Sequence, residues 1–208
     1  MRPDARIRLL RPGDAPALRE IYRPYVEAGP YSLEYALPSP EEWQARVEGI
    51  AAEYPWLVCE QGGKPTGYAY GSRHRARIGY SWAAESSIYL AEEAQGRGIG
   101  RVLYEALLGL LRLQGYVQVL AVIGLPNARS LAFHQSLGFA EAGIFRSIGF
   151  KAGRWQDTVC LQLALAEPPA APAFPRPFPA LAGDPACLAL LAEANRRLCP
   201  AAAEGEGA

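Results

Sequence analysis

The sequence predicts a mixed α/β fold, on three observations. Short apolar runs are joined in some places by tight glycine turns and in others by stretches of helical periodicity, so hairpins and helical crossovers feed one sheet. A glycine-rich stretch, Gln95-Gly96-Arg97-Gly98-Ile99-Gly100, stands between an acidic strand and a long amphipathic helix. The chain has 208 residues, 50% of them hydrophobic, which is enough for one well-cored domain and an appendage.

Taken in order, Arg6 to Leu10 alternates weakly and reads as a first strand. Gly13-Asp14 then opens a helix with Leu18, Ile21, Tyr22, Tyr25 and Val26 on one face. Pro24 lies inside that pattern. It removes an amide hydrogen and crowds the preceding turn, so a break is expected there. Ser39-Pro40-Glu41-Glu42 starts the next helix. Ser39 is the N-cap, Pro40 occupies the first turn, and Glu42 closes a capping box. Its buried stripe is Trp43, Val47, Ile50, Ala51 and Tyr54. Residues 55–60 and 65–71 form strands around a Gln61-Gly62-Gly63-Lys64 turn, a hairpin signal.

Residues 84–91 make the strand that runs into the glycine stretch. After it, Ile99, Val102, Leu103, Ala106, Leu107, Leu110 and Leu111 fall on one helical face. Residues 116–123 form an apolar strand expected to be buried on both faces. Asn127 caps a short helix ending near Gly138, and residues 139–150 and 155–165 are two final strands around a turn at Lys151 to Arg154. Composition changes at Glu167. The expected division is a domain over 1–166, a Pro/Ala-rich extended linker over 167–183, and a C-terminal helix with a disordered tail over 184–208.

Lys plus Arg and Asp plus Glu both number 21, so there is no basic excess of the kind nucleic acids or anionic membranes select. No apolar run approaches the roughly 20 residues of a membrane helix, and the first residues lack a signal-peptide core. Cys59, Cys160, Cys187 and Cys199 show no close pair at metal spacing; packing in a reducing cytoplasm is the expectation, with no metal.

The glycines of the central stretch let backbone approach a ligand closely. Free amides at the following helix start attract an anion, and Arg97 adds positive charge, so a phosphate is the expected guest. Gln95-x-x-Gly98-x-Gly100 after an acidic strand resembles the acetyl-CoA pyrophosphate loop of the GNAT superfamily of N-acetyltransferases. The likeness narrows at Tyr80 to Tyr89, Leu120 to Gly124, Asn127-x-x-Ser130-x-x-x-His134-x-x-x-Gly138-Phe139 and Gly149 to Thr158. These are similar to the phosphinothricin and methionine sulfone/sulfoximine acetyltransferase group, as are Asp14 to Val26 and Tyr31 to Glu34. The resemblance spans roughly residues 6–166. The chain departs from the group at Ala83-Ala84, where Thr-Val is usual, and at Leu33, where Phe is usual. Both departures fall on the acceptor side.

The resemblance implies a mostly antiparallel central sheet flanked by helices, acetyl-CoA as cosubstrate, and a homodimer. It implies transfer of acetyl to the primary amine of a small amino-acid-like acceptor, by direct attack in a ternary complex. Acetylation of a protein N-terminus or lysine, and acyl-CoA binding without catalysis, are the alternatives. An α-amine titrates near 7.7–8.0, so a base must supply its neutral form. Glu85 is the first candidate and His134 the second; against these stand a carboxylate at a sheet edge and a histidine capping helix carbonyls. His74, among arginines, reads as solvated or acceptor-side. Ile88, Tyr89 and Leu90 fall to the cosubstrate, with an amide near Leu90 meeting the oxyanion. Gln95, Gly96, Arg97, Gly98, Ile99 and Gly100 hold the pyrophosphate, and Asn127 and Ser130 lie by the pantetheine; Asn127 also reads as a plain N-cap. Tyr31, Ser32, Leu33, Glu34, Arg73, Arg75, Tyr80 and Trp82 are assigned to the acceptor. The basic run at Arg73 to Arg77 is either a solvated loop or a carboxylate clamp.

Overall fold

A computed structural model describes residues 5–29 and 31–199. The disordered tail expected from Ala201 lies outside the described residues. The chain forms a seven-stranded sheet in the order β1-β2-β3-β4-β5-β7-β6. Strands β1 (Ala5–Leu9), β2 (Trp56–Gln61), β3 (Lys64–Arg73) and β4 (Ala83–Leu90) pair antiparallel in succession. Strand β5 (Gln118–Gly124) pairs parallel with β4, and β7 (Arg154–Ala164) pairs antiparallel with both β5 and β6 (Ala140–Lys151). The mixed, mostly antiparallel sheet expected from the sequence is therefore present.

Helices α1 (Ala15–Glu27) and α2 (Pro40–Ala51) cover one face of the sheet's first half, burying Leu18, Tyr22, Trp43 and Val47 against Trp56, Val58 and Tyr68. Helix α3 (Ile99–Gln114) covers the other face, and all seven apolar positions of its predicted stripe are buried. A short α4 (Ala128–Gln135) follows β5, and α5 (Pro185–Leu198) packs beside α3 and β1. The Ser39–Glu42 capping box forms on both sides: the Ser39 side chain accepts the Glu42 amide at 3.1 Å, and the Glu42 carboxylate accepts the Ser39 amide at 2.8 Å.

Three expectations need correction. Helix α1 runs through Pro24 without a break. Pro24 and Glu20, whose carbonyl loses its amide partner, are both exposed to solvent, while Leu18, Ile21, Tyr22 and Val26 hold the buried face. Strand β5 is buried on one face only. Val119, Ala121 and Ile123 are buried in the core cluster that includes α3, but Val122 on the opposite face is 50% exposed. The segment after Glu167 is extended, but it packs on the domain. Phe178 and Leu181 are buried, the Arg176 amide donates to the Gln114 carbonyl, and the Phe178 amide donates to the Glu53 carbonyl.

Candidate active site

Strands β4 and β5 pair only at Ala83–Gln118, Ala84–Val119 and Glu85–Leu120. Beyond Glu85 they diverge, and the split opens a cleft of about 560 Å³ through the middle of the sheet. Ser86 to Leu90 form one wall and Ala121 to Gly124 the other; Gly96, Gly98 and Gly100 close one end, and Asn127, Ser130 and His134 come from α4. The Ala91 amide bonds back to Thr66 of β3. Strand alternation then turns the amides of Leu90 and Ile88 toward the cleft.

The glycine loop is shaped for an anion. Gly96 and Gly98 have φ of +73° and +78°, a region costly to residues with a Cβ, and Gly98 is the N-cap of α3. Helix α3 has no acidic residue in its first turn, so its free amides and positive dipole end meet the cleft uncancelled. A pyrophosphate fits this cradle on the protein's own geometry. Gln95 lines the cleft and also braces the loop. Its amide group donates to the Leu90 carbonyl at 3.0 Å and to the Tyr25 hydroxyl at 3.2 Å, and its oxygen accepts from Arg129. Arg97 is exposed and Ile99 sits in the core; Arg101 and Arg129 are the cations that line the cleft. Only their charge marks them in the sequence, since both follow motif residues by one or two places.

Tyr25, on the apolar face of α1, also lines the cleft. Its hydroxyl donates to the Leu90 carbonyl at 2.7 Å and accepts from the Leu90 amide at 3.1 Å. The amide expected to meet an oxyanion is thus occupied, and burial pushes the Tyr25 phenol up. Its neighbour in alternation, the Ile88 amide, faces the same cleft.

His134 lines the cleft but is only 5% exposed, and both ring nitrogens are engaged. Nδ1 lies 2.8 Å from the Ser130 carbonyl, which can only accept, so Nδ1 carries the hydrogen. Nε2 then accepts from the Tyr104 hydroxyl at 3.0 Å, and Tyr104 is 2.6 Å from Ser86 Oγ. Burial lowers the His134 pKa, offset in part by the Ser130 bond, which favours a neutral ring. Asn127 is the α4 N-cap, accepting the Ser130 amide at 3.1 Å.

Glu85 points to the α1–α2 face, on the same side of β4 as Ser87 and Tyr89. Its Oε1 lies 2.8 Å from His74 Nδ1. The residues assigned to the acceptor separate. Tyr31 lines the cleft. Ser32 bonds Tyr22 at 2.7 Å, Glu34 pairs with Arg46, and Leu33 packs at Gly149, where a Cβ would come within 2.7 Å of it. Arg73, Arg75 and Tyr80 line a second cavity of about 320 Å³, with Arg73 bonded to Glu53. Trp82 is away from the cleft: its indole donates to the Ala173 carbonyl at 2.8 Å and stacks on Phe174.

A family model described as an acetyltransferase (GNAT) domain matches residues 7–160. The chain belongs to the GNAT acetyltransferase family. Among GNAT relatives, a phosphinothricin N-acetyltransferase of Alcaligenes faecalis is 39% identical over 161 residues, covering 76% of this chain and 82% of its own. An L-methionine sulfoximine/L-methionine sulfone acetyltransferase of Salmonella typhimurium is 39% identical over 114 residues, 55% of this chain and 67% of its own. The crystal structure of a GNAT phosphinothricin acetyltransferase from Sinorhizobium meliloti with acetyl-CoA superposes with a TM-score of 0.77 at 39% identity, covering 82% of this chain and 94% of that one. The GNAT match ends before residue 167, so the C-terminal segment lies outside it.

Proposed function

We propose that this GNAT enzyme transfers acetyl from acetyl-CoA to the primary amine of a small amino-acid-like acceptor of the phosphinothricin or methionine sulfone/sulfoximine type. The observation that carries the reading is the split between β4 and β5. It presents an anion cradle at one end, strand amides along its wall, and a carboxylate where the split begins. Acetyl-CoA supplies the activated thioester. The α3 amides with Gly96 and Gly98 hold its pyrophosphate, and the open β4 edge holds the pantetheine as an added strand would be held. The Ile88 amide meets the developing oxyanion. Glu85 takes the amine proton. Ser87, two residues along the same face and about 7 Å away, lines the cleft, so one water between carboxylate and amine suits the span. His134 keeps β4 and α4 in register through Tyr104 and Ser86.

A small acceptor is favoured over a peptide by the wall beside Glu85. Tyr25 packs edge-on against both Tyr31 and Tyr89, and the Tyr35 hydroxyl bonds the Phe150 carbonyl, drawing the 31–35 segment toward the last hairpin. A homodimer in the cytoplasm completes the proposal. The dimer is supported by the exposed apolar surface of β6 and β7, where Phe145 is 48%, Ile148 58% and Trp155 64% exposed.

The test is thiol release from acetyl-CoA across a panel of phosphinothricin, methionine sulfone, methionine sulfoximine and N-terminal peptides. Turnover with the small amines is expected. Faster turnover with peptides overturns the acceptor class, and CoA binding without acetylation overturns the enzyme. Glu85→Gln should lower kcat by roughly 10²–10⁴; unchanged turnover removes Glu85 as base.

A further inference from the structure

Glu85 is held by a group that the family motifs and the cleft leave out. It pairs with Ser72 across the β3–β4 ladder, and His74 lies two residues further along the same face, just past the end of β3. That diagonal position is within reach of a long side chain. His74 Nδ1 is 2.8 Å from Glu85 Oε1, and the two side chains are 15% and 33% exposed. A carboxylate in its base form only accepts, so Nδ1 donates.

The imidazole is itself braced. Tyr80 meets it edge-on, with ring centroids 5.9 Å apart and planes at 81°, and the Arg75 guanidinium sits 5.2 Å over the Tyr80 ring. The run of basic residues after β3 thus builds a stack, Arg75 on Tyr80 on His74, that ends at one carboxylate oxygen. Among the described residues, Glu85 Oε2 takes no protein hydrogen bond and is left for another donor.

We propose that His74 is a positioning residue for acetyl transfer: it pins Glu85 Oε1 so that Oε2 points along β4 toward the amine. The inference rests on Glu85 being the base. Fixing one oxygen restricts the carboxylate torsion to one orientation, and misplacement of a reacting group by about 1 Å can cost as much as 10²-fold in rate. The role differs from a structural one, because the loss falls on the chemical step and only while the carboxylate is present.

Steady-state kinetics of the full-length enzyme test this with His74→Ala, His74→Asn, Glu85→Gln and the double variant His74→Ala/Glu85→Gln. His74→Ala should lower kcat on the order of tenfold while both KM values stay within about twofold. His74→Asn, whose side-chain amide donates from near the Nδ1 position, should recover most of that loss. In the Glu85→Gln background His74→Ala should cost nothing more. Full activity of His74→Ala beside a crippled Glu85→Gln overturns the inference and leaves the base intact. Unimpaired Glu85→Gln overturns the base itself and the inference with it. A His74→Ala loss that persists in the Glu85→Gln background, or that tracks a fall in melting temperature without rescue by Asn, overturns the positioning role.

Discussion

At His134 two influences oppose. Burial disfavours the imidazolium, and the Ser130 carbonyl favours it; burial dominates, and the folded pKa lies below the usual value. The unfolded chain therefore takes up a proton first as pH falls below about 6.5. Stability from this residue is complete above that pH and declines as pH drops toward the folded pKa. Urea unfolding at pH 7.5 and 5.5 should show the wild type losing stability at the lower pH, and His134→Gln losing less. Equal losses in the two proteins would mean that the ring is not buried neutral. Lys151 shows the same economy of polar groups. Its ammonium donates to the Val26, Gly29 and Ser32 carbonyls, tying the last hairpin to the segment that carries Tyr31, and burial lowers its pKa. His134, singled out through the family resemblance, lines the cleft. The bond to the Ser130 carbonyl is local and matches the carbonyl-capping reading, whereas Tyr104, and Ser86 behind it, come from a different helix and strand that spacing does not reveal. The partners of Trp82 are hidden for a related reason: Ala173 and Phe174 are some ninety residues away in the chain.

At the scale of elements, the loop into α3 depends on backbone geometry that side chains would spoil. Gly98 sits in the left-handed region with nothing within 4 Å of a built Cβ, so the cost of substitution is conformational and not steric. Gly98→Ala should lose about 1 kcal/mol of stability. By tilting the α3 amides, it should also raise KM for acetyl-CoA more than it changes kcat. A variant with unchanged KM would show that the loop does not hold the pyrophosphate. Helices α2 and α3 were legible because caps and periodic stripes are local. The parting of β4 from β5 was not. Pairing ends at Glu85–Leu120, and nothing in either strand's composition marks that point. The apolar run of β5 suggested two buried faces for the same reason: a strand's pattern does not reveal which of its faces is covered.

Over the whole molecule, the C-terminal segment belongs to the same core as the sheet. Asn195 of α5 accepts the Ile7 amide at 2.7 Å and donates to the Ile7 carbonyl at 2.9 Å, so one side chain meets the open edge of β1. The opposite edge of the sheet, at β6, carries exposed Ile144, Phe145 and Ile148. In the proposed homodimer this is the surface that a second copy would cover. Trp155→Glu combined with Ile148→Glu should shift the protein from dimer to monomer in light scattering. A wild-type monomer, or a double variant that stays dimeric, would refute that surface as the interface.

The amino-acid sequence by itself determined the mixed α/β sheet, the capped helices, the glycine loop and the family, because each rests on residues close together in the chain or on spacings that a short motif preserves. Tertiary structure alone decided where the cleft opens, that Tyr25 and Gln95 secure Leu90, that His134 is enclosed, and that His74 rather than an arginine of its run reaches Glu85. Those outcomes depend on strand register and on which helix lies over which face. Both are set by packing between segments remote in sequence, where a difference of one residue in register would turn Glu85 to the other side of the sheet.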